Sequence, residues 1–141
     1  MPDIIRSCDN KNQPIVDKDN ATLSLTYFNL VKLAKAQDVT NKLDGFESVY
    51  VVMTGNCNIE VNGELFENVG QRKDIWSGQA DSVYAPANAS VKVKANADRT
   101  EIALAGGKCD TEYEPFRVKP GEVEMVDVGS LETHSHRRIY H

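Results

Sequence analysis

GFESVYVVMTGNCNIEVNGELFENVGQRKDIWSGQADSVYAPANASVKVK, residues 45–94, decides the fold. Val49, Val51 and Met53 alternate with Tyr50, Val52 and Thr54, so this run is apolar on both faces, as a strand inside a sandwich or barrel would be. After the break at Thr54-Gly55-Asn56, Cys57, Ile59 and Val61 point one way and Asn58 and Glu60 the other. Asn62-Gly63 is a hairpin signal, because both central residues of that turn need positive φ. Glu64-Leu65-Phe66 resumes, Val69-Gly70 closes, and Asp74-Ile75-Trp76 reads as another start.

Outward from this centre the β pattern continues. Leu23, Leu25 and Tyr27 alternate with Thr22, Ser24 and Thr26, which predicts a half-buried strand. Residues 30–36 read as a strand running into a loop. Asp81 to Ala85 is a strand ended by Pro86, and Asn88 suits the left-handed position of the turn that follows. Val91 and Val93 point inward between Lys92 and Lys94; residues 101–105 form a strand ended by Gly106-Gly107. Two short pieces, at Phe116 and at Val123–Val126, flank a Lys119-Pro120-Gly121 turn. About ten strands at short intervals predict a single-domain, all-β jelly roll, a sandwich or barrel. The expected organisation is an arm over residues 1–20, with Ile4-Ile5 on a sheet edge, a jelly roll over 21–129, and a tail or connector over 130–141.

The chain has 141 residues, enough for one well-buried core, and a net charge of −5 without a basic block. That disfavours nucleic acid as a partner, since phosphate binding needs a basic stripe. The three cysteines are widely spaced and make no CxxC, so neither a disulfide framework nor a zinc knuckle is expected. Cys57 reads as a small core hydrophobe. The first twenty residues lack an apolar signal-peptide core and no run reaches membrane-spanning length, so no membrane association and a cytoplasmic location are expected.

Several words in order are similar to one family. Val51-Val52-Met53-Thr54-Gly55, Phe66-Glu67-Asn68-Val69-Gly70-Gln71-Arg72, Asp81-Ser82-Val83-Tyr84-Ala85-Pro86 and the closing Arg138-Ile139-Tyr140-His141 resemble the uronate isomerases. That family includes 5-deoxyglucuronate isomerase of inositol breakdown and 5-keto-4-deoxyuronate isomerase of pectin breakdown. The resemblance covers residues 22–141 and only the first half of a family member, which is built of two cupin jelly rolls. It implies a cupin-type fold, and a divalent metal and sugar-acid chemistry housed in the second half. No cofactor is then expected in this chain.

The residues agree from another direction. Metal cupins place His-x-His and Glu before the Gly55 position and a further His after a Pro-x-Gly turn. Residues 34–46 contain no histidine, Ser48 stands where the Glu would fall, and Val91 stands where the later His would fall. No catalytic residue is expected. Glu47, Arg72, Trp76 and Tyr84 are the candidates for a barrel mouth that could hold a small sugar acid; for Arg72 and Trp76, core packing is preferred, with Arg72 tied to Asp74 or Asp81. Arg138 and His141 are assigned to packing against a second domain or partner. His134 and His136 have metal-ligand spacing on a strand, but a solvated connector is preferred. Three functions follow in order: a non-catalytic half of a uronate isomerase, a free-standing sugar- or uronate-binding or structural homodimer, and a small metal enzyme using the histidines. The expected partner is a second cupin domain or a second copy.

Overall fold

A computed structural model of the chain describes residues 4–19 and 22–140. Eleven strands occur among them: β1 Thr26–Ala34, β2 Asp38–Lys42, β3 Phe46–Thr54, β4 Cys57–Val61, β5 Glu64–Val69, β6 Asp81–Ala85, β7 Ser90–Ala95, β8 Arg99–Lys108, β9 Phe116–Val118, β10 Met125–Val128 and β11 Arg137–Tyr140. They form a five-stranded sheet ordered β1-β8-β3-β6-β9, a four-stranded sheet ordered β2-β7-β4-β5, and the hairpin β10-β11. Every pairing is antiparallel. Two facing antiparallel sheets with these crossovers make the expected jelly roll.

The core lies between the sheets. Tyr50 and Val52 of β3, Ile102 and Leu104 of β8, and Val31 of β1 face Cys57, Ile59 and Val61 of β4 and Val91 and Val93 of β7. Residues of β7 alternate exposed and buried without a break, which is the two-residue period of its sequence made visible. The Asn62-Gly63 turn adopts the required positive φ at both residues, 49° and 91°. Gly55 and Gly70 meet at one end of the core: a Cβ on Gly70 would sit 2.4 Å from a Val52 methyl and 2.7 Å from the Gly55 carbonyl oxygen.

Two polar contacts lock the short strands in place. Asp81 is 1% exposed at its side chain and is gripped by Arg117, whose Nε and Nη2 donate to its two oxygens at 2.9 and 2.6 Å. Arg117 also donates to the carbonyls of Glu67 and Asn68, so one guanidinium ties β9 to β6 and to the end of β5.

Some local expectations are corrected. Thr26 begins the first strand, and Leu23 and Leu25 are exposed in the turn before it, closed by Thr26 N–H donating to the Leu23 carbonyl. Ile4 and Ile5 are exposed outside any strand; the arm meets the edge through a bridge between Val16 and Phe28. Asp74-Ile75-Trp76 is a turn, because the Asp74 carboxylate accepts from Trp76 N–H at 3.0 Å and Ser77 Oγ at 2.7 Å. Gly106-Gly107 does not end its strand, which runs to Lys108. Gly106 is needed there because a Cβ would lie 2.8 Å from the Glu47 carbonyl oxygen.

Candidate functional site

The period of β3 sorts the candidate residues. Phe46, Ser48, Tyr50 and Val52 are buried and face the core, so Glu47, Val49, Val51 and Met53 lie on the outer face of the five-stranded sheet. Glu47 and Tyr84 are indeed together: the Tyr84 hydroxyl donates to Glu47 Oε2 at 2.8 Å, and its ring stacks on Phe116 at 4.9 Å. They meet outside the sheet and not in a barrel mouth. Trp76 is 88% exposed on its turn, which corrects the core-packing expectation. Arg72 donates to the carbonyls of Val52 and Gly78; of its two expected acidic partners, Asp74 acts on it electrostatically without a direct ion pair and Asp81 is taken by Arg117.

The strand registers align the outer face into two rows that cross the whole sheet. One runs Phe28, Ala105, Val49, Tyr84, Phe116; the next runs Leu30, Ala103, Val51, Ser82, Val118. Ser82 is the one small polar side chain in these rows, and Ala103 and Ala105 contribute only methyls. Most of these side chains are half-buried, and Ala105 and Phe116 are exposed. Beyond the rows, Glu47 stands at one end and Lys32 beside Glu101 at the other. At the Lys32 end lies a groove of about 920 Å³ that shares Leu30 and Met53 with the face and is walled by Arg72, Lys73 and Ile75.

The opposite end of the interior is polar. Tyr27, Asn29, Asn41 and Phe46 line a mouth of about 490 Å³ whose far wall is the amino-terminal arm at Asn12, Gln13 and Pro14. The arm is held by Asn10 Nδ2, which donates to Asn29 Oδ1 at 2.7 Å, and by Asn29 Nδ2, which donates to the Asn12 carbonyl at 3.1 Å. The sequence pattern concealed this end, because single polar residues inside an alternating strand read as solvent-facing.

The tail also differs from expectation. Residues 125–140 fold as the β10-β11 hairpin, with His134 at positive φ in its turn and His136 paired with Asp127. The two histidines therefore do not share a strand face. Arg138 lies across from Asp127 on this exposed hairpin, and His141 lies outside the described residues. Among the described residues no three His, Cys, Asp or Glu side chains come together in an arrangement fit to hold a metal. Among them, too, no helix is long and apolar enough to cross a membrane.

A KduI/IolB family model matches residues 4–141. The chain belongs to the KduI/IolB family. It is 24% identical over 127 residues to the 5-deoxy-glucuronate isomerase of Listeria monocytogenes, covering 89% of this chain and 45% of that protein. It is 30% identical over 125 residues to the enzyme of that name from Geobacillus thermodenitrificans, covering 86% of this chain and again 45% of the relative. The chain thus spans about half the length of these relatives. Among solved structures, an IolB-like protein from Salmonella typhimurium superposes with a TM-score of 0.81 at 25% identity, over 91% of this chain and 48% of that one. A cupin protein from Bacteroides fragilis matches with a TM-score of 0.53 at 14% identity, over 81% of this chain and 92% of that one, which supports the cupin fold alone.

Burial sets the ionisation of this KduI/IolB jelly roll. It pushes the Cys57 thiol up to about 12, with Asp81 adding to the effect, so Cys57 is an inert core residue. It raises the Tyr50 phenol well above its ordinary 10.0, and desolvation followed by donation to Glu47 does the same for Tyr84. A raised phenol keeps its proton in the fold while the unfolded chain loses it, so stability is complete below about pH 10 and falls above it. Urea midpoints measured against pH should be flat near neutrality and decline above about pH 10. A midpoint that rises across that alkaline range would contradict this assignment.

Proposed function

We propose that this chain is the amino-terminal, non-catalytic jelly roll of a cytoplasmic sugar-acid isomerase of the inositol-breakdown type, and that it works by packing on a second cupin domain. The observation that carries the reading is the outer face of the five-stranded sheet. Two apolar rows spanning five strands, with charged groups only beyond their ends, have the anatomy of an interface with an apolar centre and a polar rim. The relatives named as isomerases are about twice as long as the region matched, which leaves room in them for a second unit of this size.

The interior supports the non-catalytic part of the reading. Ser48, buried on β3, and Val91, buried on β7, stand where a metal cupin needs a carboxylate and an imidazole. A hydroxyl and an isopropyl group do not fit a divalent cation, so no reaction step is assigned to this chain. In the family's reaction a proton moves between adjacent carbons of the sugar acid, and the groups for that would come from the other half.

When the chain is alone, a second copy takes the place of the other jelly roll. A twofold axis running across the strands between the two rows would lay one row on the other. It would also set the Glu47 end of each copy over the Lys32, Arg72 and Lys73 end of its mate. The β10-β11 hairpin stands beside the same groove, since Tyr140 acts electrostatically on Arg72, and it offers Arg138 to the partner. Light scattering at high micromolar concentration should give twice the chain mass of 15.6 kDa. A sharp monomer peak would count against the docking role. A free-standing sugar-binding protein is the second reading, favoured by the polar interior end.

A further inference from the structure

The polar end of the barrel interior is left incomplete. Tyr50 is fully buried, and its hydroxyl has no hydrogen-bond partner. Ser48 and Asn41 stand close enough to act on it as hydrogen-bonding groups, and Tyr27 acts on it electrostatically, but none closes a bond of good geometry with it. The Asn41 amide nitrogen is also buried without a partner, although Asn41 lines the mouth. The two groups are neighbours whose hydrogen-bond geometry is poor, and each costs folding free energy unless something completes it. Elsewhere the interior is aliphatic, from Val31 and Leu33 through Val52, Ile59 and Ile102. A few convergent polar groups at one end of an apolar chamber are how small-molecule sites are built.

We infer that this end binds a small neutral polyhydroxylated molecule of monosaccharide size, held at the mouth by Asn41 and Tyr27, with the buried Tyr50 hydroxyl and Ser48 behind Asn41. The groups facing inward are hydroxyls and an amide, which donate to and accept from hydroxyls but offer no positive charge to an anion. The rim supplies no net positive charge either: it carries Asp17, Asp19 and Asp44 against Lys18 and Lys42, and Lys42 is paired with Asp44 at 3.7 Å. A carboxylate would enter past a net negative rim into a chamber without a counter-ion, and would be penalised. A mouth of about 490 Å³ suits a six-carbon sugar or polyol. The arm forms its wall, tied down through Asn29. This inference rests on the interior alone and stands apart from the reading of the outer face.

Calorimetric titration of the whole chain with glucose and with sorbitol tests it, with glucuronate as the charged counterpart. Glucose or sorbitol should bind, and glucuronate should bind at least about tenfold more weakly than the better of the two. Tyr50→Phe and Asn41→Ala should each weaken binding at least about tenfold. Tyr50→Phe should melt no lower than the parent, because it deletes an unpaired hydroxyl and keeps the ring. Failure of both neutral probes to bind, as expected if only water completes the site, would overturn the inference. Binding that survives Tyr50→Phe unchanged, or glucuronate binding as tightly as glucose, would overturn it equally.

Discussion

Arg117→Ala should lower the unfolding free energy by about 3–5 kcal/mol, the range for breaking one side of a buried ion pair. The loss follows from what is left behind. Asp81 is 1% exposed, and without the guanidinium it keeps only the Gly70 N–H, which donates at 2.9 Å. A buried carboxylate with one hydrogen bond is poorly compensated, and the Glu67 and Asn68 carbonyls lose their donors as well. Strand β9 has only three residues, so this grip does much to hold it on β6. The melting temperature should fall by roughly 10 °C or more for a domain of this size. A second change, Asp81→Leu in the Arg117→Met background, should recover much of the loss, since an apolar pair of similar volume needs no counter-charge. A loss below about 1 kcal/mol for Arg117→Ala would mean that water, and not Arg117, satisfies Asp81.

Val51→Glu should dissociate the proposed dimer while leaving the jelly roll folded. Val51 lies near the middle of the outer face, between Ala103 of β8 and Ser82 of β6. A carboxylate there can reach solvent in the monomer but would be desolvated at the centre of two packed rows. Central interface positions commonly cost 2 kcal/mol or more when disrupted, so the dissociation constant should rise about thirtyfold or more. Sedimentation velocity reads the association, and thermal melts confirm the fold. Ser82→Ala is the matched control on the same row and should leave association intact or tighten it. An unchanged dimer in Val51→Glu would move the interface elsewhere.

The two-sided apolar character of β3 was visible in the sequence, and the structure explains it. Tyr50 and Val52 fill the core while Val49 and Val51 form the outer rows. A period of two reveals that both faces are apolar, but it does not distinguish a covered face from one awaiting a partner. The hairpins were legible wherever turn chemistry is local, as at Asn62-Gly63 and Asn88, which take positive φ. Trp76 misled because the apolar pair Ile75-Trp76 looks like the start of a strand unless the aspartate before it caps the backbone, and Asp74 does. The mouth was misplaced for a topological reason. Glu47 and Ser48 are adjacent in sequence yet on opposite sides of the sheet, and only the phase of burial along β3 decides which one faces inward. Arg117 as the partner of Asp81 was illegible, since the pair is formed across 36 residues by β6-β9 registry.

The claim beneath all of this is that the chemistry of a KduI/IolB isomerase does not reside in this jelly roll. Turnover of 5-deoxy-glucuronate by the purified chain, assayed with manganese, zinc or nickel supplied, tests it most directly. The account predicts no isomerisation above the protein-free rate with any of the three ions. Metal-dependent turnover that persists through repurification and is abolished by changes to residues inside the barrel would contradict it.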